Sequence, residues 1–312
     1  MASAQRYYRF SLGLGAAGTL TLLIALAAVP SAITPALPTF SDVAVACRQF
    51  VLAASGPAIL VTVLASLGTA SGILALRAVA RHHRSQRRLM RRLDALNVLR
   101  INGMTAQIFA DVRPQAFCAG LVRPRIYLSS GALNVLSRHE LDAVLAHEAH
   151  HATRRDPLRI LLARVLRDAL FFLPIMRHVA DRYGALAEIA ADDAAVHRCG
   201  DPAALASAML TFDEQAPAGA VGIAPERVDH LLGQPPQWQL SLSLLAAGIV
   251  TLAAVAALGA ATASAVPAGG ISLAVLVAQI CMFAMAVAPV LGGAALVLTV
   301  KRALRLRRPQ TA

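Results

Sequence analysis

Charge and aromatic rings are both scarce in this chain. Asp, Glu, Lys and Arg make up 15% of its 312 residues and aromatics 4%, against 57% hydrophobic residues. With a mean hydropathy of +0.61, that balance excludes an ordinary soluble domain and predicts membrane spans. Cysteine is sparse too. Cys47, Cys118, Cys199 and Cys281 are scattered, with no Cys-x-x-Cys pair. This excludes a disulfide framework and a zinc-thiolate site, and leaves buried free thiols as the reading. Internal repeats are absent, and the only compositional bias is toward alanine.

Long uncharged runs dominate what is present. Ser11–Thr34 is uncharged for 24 residues, Gln49–Leu76 for 28, and Leu231–Val300 for 70, the last broken by Val266-Pro267-Ala268-Gly269-Gly270. Each exceeds the roughly 20 residues that cross a bilayer. Four spans are expected, at about 11–33, 51–76, 240–265 and 271–299. Pro289 and Gly292-Gly293 would kink or closely pack the last. The first run is longer than the apolar core of a cleaved signal peptide, so it is read as a span.

The net charge of +12 could indicate nucleic-acid binding, but the positions of the charges argue for topology. Arg6 and Arg9 precede the first span; Arg77, Arg81, Arg84, Arg87, Arg88, Arg91 and Arg92 follow the second; Lys301, Arg302, Arg305, Arg307 and Arg308 follow the fourth. The 266–270 turn has no basic residue, and the Pro35–Arg48 loop has one. This is a positive-inside pattern, with basic runs that also suit anionic headgroups. It places both termini and the central segment in the cytoplasm, and no direct nucleic-acid binding is expected. The expected division is two spans in 1–80, a cytoplasmic domain over 81–238, two spans in 239–300 and a basic cytoplasmic tail over 301–312. The fold class is a mainly α membrane protein with four transmembrane helices and a cytoplasmic α+β domain holding a small sheet.

The central segment carries His147-Glu148-Ala149-His150-His151. Read as His-Glu-x-x-His on a helix, it sets two imidazoles one turn apart on one face, able to grip a single zinc ion with Glu148 near a bound water. Ser137-Arg138-His139-Glu140 reads as a capping box that starts this helix. Leu141, Val144 and Leu145 mark its apolar stripe, which continues into Glu148 and His151. Buried polar groups need partners, and a metal supplies them. Chance produces such a match about once in a hundred chains of this length, so the remainder of the chain must decide. A second helix, Ala185–Cys199, sets Glu188 and Asp192 four residues apart on one face. Glu188 is the natural third ligand, and Asp192 can accept an N–H from a ligating imidazole. His150 is read as turned aside from the metal.

Around these helices, residues 81–100 read as a basic helix leaving the membrane, and 106–113 as a strand. Gln115–Gly120 and Arg125–Ser129 flank a hairpin turn. An edge of this sheet could accept an extended peptide as an added strand. Asp156-Pro157 reads as an N-cap with Pro at N1, opening a helix to about Phe172 that Pro174 bends or ends. Gly184 precedes the Glu188 helix and Gly200 terminates it. Asp201-Pro202 opens another helix, to about Asp213. Gln215–Ala224 reads as a loop near the cleft.

The pattern His147-Glu148-x-x-His151 followed by Glu188-x-x-x-Asp192 resembles that of integral-membrane gluzincin metallopeptidases. The run Phe117–Ser129 and Arg154-Arg155-Asp156-Pro157 are similar to stretches flanking the active helix in the beta-lactam sensor-transducer (antirepressor) peptidase family. The HtpX and CAAX prenyl protease family shares the zinc motif. The resemblance covers about residues 95–235. It implies a zincin-like domain and a membrane zinc metalloendopeptidase, with one zinc ion on His147, His151 and Glu188. Glu148 would be the catalytic base and Asp192 a brace behind the ligands. Arg227, His230 and Tyr127 are candidates for stabilising the oxyanion. Substrates would be proteins or peptides: a winged-helix transcriptional repressor or other regulator by analogy with the sensors, or damaged membrane protein by analogy with HtpX. A third reading is a catalytically silent receptor or scaffold, against which intact Glu148 argues. Sensors of the best-known type carry an extracellular penicillin-binding domain after the last span. This sequence ends twelve residues after Val300, so direct beta-lactam sensing is not expected.

Overall fold

The computed structural model describes residues 2–34, 36–53, 56–93, 97–101, 103–215, 224–234, 240–266, 268–269 and 271–278. These are mostly helical. The chain divides into two compact units, residues 1–19 with 71–252, and residues 20–70 with 253–312.

Helix α1 (Ala2–Leu26) is followed by the short α2 (Ala28–Ala32) and β1 (Ile33–Thr34); α3 (Phe40–Ala53) precedes α4 (Gly56–Arg92). Three helical stretches are long and apolar enough to cross a membrane: Ala4–Ala32, Gly56–Arg91 and Leu242–Ala265. They correspond to three of the four expected spans. The expected span at 271–299 lies almost wholly outside the described residues. In the unit holding residues 20–70, Ile33–Thr34 pairs in parallel with Ile271–Ser272.

The basic helix expected over 81–100 is corrected at both ends. It is the continuation of α4, without a break from Gly56, and it stops at Arg92. Val98–Ile101 forms strand β2 instead, paired antiparallel with β3 (Met104–Phe109). Val98, Leu99 and Ile101 suit a pleated surface better than a helix, and Gly103 supplies a positive φ of 80° in the turn that follows. The strand expected at 106–113 accordingly starts earlier and ends at Phe109. β4 (Ala116–Ala119) and β5 (Arg125–Ser129) form the expected antiparallel hairpin. The sheet order is β2-β3-β5-β4, with β3 and β5 parallel. β4 therefore lies at an edge of the sheet.

Ser129 caps α5 (Ser130–Val135), and α6 (Arg138–Arg154), which carries the His-Glu-x-x-His motif, follows. The capping box is present as expected: Glu140 N–H donates to Ser137 Oγ at 3.3 Å, and Ser137 N–H donates to Glu140 Oε2 at 2.7 Å. Such a cap contributes on the order of 1 kcal/mol. Each buried aliphatic side chain contributes about 1.5–3 kcal/mol. Burial of Leu141, Val144 and Leu145 against Ile126 and Leu128 therefore holds α6, while the cap fixes where it begins.

Arg155, with φ 55°, is the C-cap of α6 and the N-cap of α7 (Asp156–Ala169). The expected N-cap, Asp156, is displaced by one position and turns its side chain inward. α8 (Pro174–Cys199) begins with Pro in its first turn, runs through Gly184, and ends at Gly200 with φ 72°. The helix bearing Glu188 is thus 26 residues long, because nothing at Gly184 outweighs the packing of α8 on α6. α9 (Pro202–Glu214), capped by Asp201, lies where expected, followed by α10 (Pro225–Leu231) and α11 (Leu242–Ala265).

Candidate metal centre

α6 and α8 pack together and bring the expected residues to one place. His147 Nε2 and His151 Nε2 are 3.2 Å apart. Glu188 faces both, with Oε2 3.6 Å from His147 Nε2 and Oε1 3.6 Å from His151 Nε2. A tetrahedral ion with ligands at about 2.0–2.1 Å has donor–donor edges of roughly 3.3–3.4 Å, close to all three separations. These are the His, Asp, Glu and Cys side chains that could hold a metal ion among the described residues.

The back of each imidazole faces a buried carboxylate. His147 Nδ1 lies 2.9 Å from Asp192 Oδ1, somewhat out of line with the ring N–H. His151 Nδ1 lies 2.9 Å from Asp156 Oδ2. A carboxylate at Nδ1 holds the proton there and leaves the Nε2 lone pair free. Two such lone pairs 3.2 Å apart beside a carboxylate call for a shared proton or a metal ion between them. The donor set therefore fits a metal ion.

Burial works to lower the His147 imidazole, but the facing carboxylates of Asp192 and Glu188, with Glu148, outweigh it and hold its pKa at about 9. Glu188 shows the converse. Burial would raise it, yet the proximity of His147 and the charges of His147, His151 and Arg227 hold it at about 2. Glu148 is 9% exposed. Burial raises its carboxyl above the usual range, against the pull of the two histidines. That is the direction a proton carrier needs.

The structure separates the three oxyanion candidates. Arg227, on α10, grips Asp192 with both arms of its guanidinium, Nε to Oδ2 at 2.8 Å and Nη2 to Oδ1 at 2.6 Å. Its Nη1 lies 3.3 Å from Glu188 Oε2, so it joins the site from behind the carboxylates. His230 Nε2 is 2.6 Å from Asp193 Oδ1 and does not line the cleft. Tyr127 is not brought to the site. Ile126 and Leu128 face the core, so period-two alternation turns Tyr127 to the other side of the sheet. There its ring stacks on Phe117 and its hydroxyl donates to Met90 Sδ at 3.8 Å. His150 is half-buried, and burial pushes its pKa down to about 4.

Sequence reasoning missed Asp156 as a partner of His151. Its carboxylate is 2% exposed and also accepts from Tyr183 Oη at 3.3 Å. The available signal was a carboxylate five residues after a ligating histidine, across a helix end. Asp156→Asn is expected to weaken metal affinity about 10- to 100-fold, measured by competition with a chromophoric chelator. An unchanged affinity would remove this role.

A cavity of about 320 Å³ opens over the centre. His147, Glu148, His151 and Glu188 form its floor, and His82 and Gln86 of α4 and Phe117 and Cys118 of β4 form part of its walls. Burial, then Glu148 and Asp156, push the Cys118 thiol up to about 12. It therefore stays protonated and is a poor nucleophile.

Paired imidazoles and a glutamate on two packed helices, with a buried carboxylate beside them and helices of membrane length, define a membrane metallopeptidase. The family model described as BlaR1 peptidase M56 matches residues 44–224. That is more than half of the chain, which belongs to this family. The chain is also similar to proteins named protease HtpX homolog. It is 30% identical to that of Acaryochloris marina (strain MBIC 11017) over 152 residues, covering 38% of this chain and 52% of the relative. It is 36% identical to that of Trichormus variabilis (strain ATCC 29413 / PCC 7937) over 76 residues, 24% of each. The chain thus spans between a quarter and about half of the length of these curated relatives.

Proposed function

We propose that this protein is a zinc-dependent metalloendopeptidase that cleaves proteins at the cytoplasmic face of the membrane. The observation that carries this reading is the approach of two Nε2 atoms to 3.2 Å, each imidazole backed by a buried carboxylate, with Glu188 facing both. His147, His151 and Glu188 would hold the ion, while Asp192, Asp156 and Arg227 fix the orientation of those ligands. When bound, zinc polarises the scissile carbonyl and acidifies a water. Glu148 accepts the proton of the attacking water and delivers it to the nitrogen of the leaving amine. Its burial favours the first half of that transfer, because a carboxyl with a raised pKa takes up the proton readily, and passing that proton to the nitrogen lets the amine depart. The edge of β4 beside the cleft suits an extended substrate added as a further strand.

The arginines after the second span support a cytoplasmic domain over 81–238. A fourth span at 271–299 and a basic tail at 301–312 belong to the same topology. Membership of the M56 family favours regulatory cleavage of a signalling protein. The similarity to HtpX homologues favours a second reading, quality control of membrane proteins. Intact Glu148 disfavours a silent scaffold. The class of enzyme is tested by casein cleavage with the purified protein. Activity is expected to disappear with a zinc chelator such as 1,10-phenanthroline and to return with added Zn²⁺. Cleavage indifferent to the chelator would sink the proposal.

A further inference from the structure

A larger cavity, of about 1070 Å³, lies beside the active cleft in the same unit. The two share His82, Leu161 and Arg164, so they adjoin across those residues as neighbouring parts of one trench. Its walls come from α4, α7 and the start of α8. Arg81, Arg164, Arg167 and Arg177 line it against one carboxylate, Asp168. A further hollow of about 490 Å³ continues along α4 and adds Arg84 and Arg88.

Asp168 satisfies only part of this charge. It pairs with Arg81 at 2.5 Å and with Arg167 at 3.0 Å, and Arg167 also reaches Asp181 at 3.3 Å. Arg84, Arg88, Arg164 and Arg177 are exposed and have no carboxylate partner among the described residues. Guanidinium groups carry a permanent charge and a planar fork that matches carboxylates, and a concave surface of one sign concentrates its field. Where the two cavities adjoin, His82 Nε2 is buried without a hydrogen-bond partner among the described residues. Such a group gains from a polar atom of whatever occupies the trench.

The arginine lining suits an anionic occupant, and the length of the trench along α4 suits an extended one. Its main cavity lies at the upper end of the roughly 300–1,000 Å³ typical of small-molecule sites, and the hollow along α4 extends it. An anionic lipid headgroup and an acidic polypeptide both carry the right charge. Position discriminates between them, because the trench adjoins the cleft over the metal centre across His82, Leu161 and Arg164. A polypeptide cut there must continue away from the cleft, whereas a lipid has no need of that adjacency.

We propose that the trench binds an acidic segment of the protein substrate, so that cleavage prefers Asp and Glu clustered on one side of the scissile bond. This inference rests on the peptidase reading and names a substrate class for it. The test uses the full chain in zwitterionic nanodiscs. Binding of a labelled glutamate-rich peptide and of its isosteric glutamine twin is measured by fluorescence anisotropy on the Glu148→Gln protein. The glutamate peptide should bind more tightly, and its advantage should shrink about fivefold with Arg84→Gln/Arg177→Gln and fall with added salt. In parallel, the wild type cuts a peptide library, and Asp and Glu should be enriched on one side of the cuts. Equal binding of the two peptides, or a preference undiminished by the double substitution, overturns the inference while leaving cleavage intact. A preference that persists although the wild type cuts nothing overturns the peptidase reading instead. An effect of the double substitution seen only when the nanodiscs contain phosphatidylglycerol assigns the trench to lipid and overturns the inference.

Discussion

Replacing Glu148 by Gln should lower peptide-bond cleavage by about 10²- to 10⁴-fold, the range set by losing a positioned acid–base group, while the bound metal remains. Gln keeps the size of the side chain and its hydrogen-bonding reach but cannot take up a proton. The residue contributes no atom to the His147–His151–Glu188 donor set, so the metal should survive the change. Casein cleavage and zinc content of the purified variant check the two halves separately. Equal activity of variant and wild type would remove Glu148 from the chemistry. A loss of both activity and metal would show that it serves the structure of the site instead.

The second large effect is expected at the ligands. His147→Ala removes one donor and also strips Asp192 of its imidazole partner, although Arg227 still holds that carboxylate in two hydrogen bonds. The fold around α8 should therefore persist while zinc content drops from about one ion per chain toward none. Helical circular dichroism and elemental analysis of the same preparation separate these outcomes. Zinc stoichiometry unchanged from wild type would mean that the ion sits elsewhere. Because binding to the folded state alone stabilises it, the wild type should also unfold at a higher temperature with Zn²⁺ than with a chelator. That difference should vanish in the variant.

Local rules made the centre of the site legible. The capping box, the apolar stripe and the spacing of His147, Glu148 and His151 all lie within α6, and one helical period relates them. Glu188 and Asp192 share a face of α8 for the same reason, although their approach to α6 is tertiary. The features that escaped depend on longer-range packing or on a single backbone torsion. Gly184 looked like a helix boundary, yet packing on α6 carries α8 through it. β2 was hidden behind a run of arginines that continues α4, and only pairing with β3 settles its state. Tyr127 sits next to residues of the right face but on the wrong one. Asp156 reached His151 because Arg155 adopts a left-handed conformation, which no periodicity announces. His82 and Gln86, far from the motif in sequence, reach the cleft only because α4 packs beside it.

That left-handed turn makes His151 and its carboxylate partner neighbours along the chain, joined by a bend of a single residue. The opposite pairing, His147 with Asp192, spans two separate helices. One half of the centre is therefore assembled by local geometry alone, and the other half exists only while α8 stays in register with α6. Sliding one helix along the other by a fraction of a turn would pull Glu188 and Asp192 away together and leave a two-nitrogen claw with neither its third donor nor its second brace. The centre can thus be dismantled by translation, without unfolding a single helix.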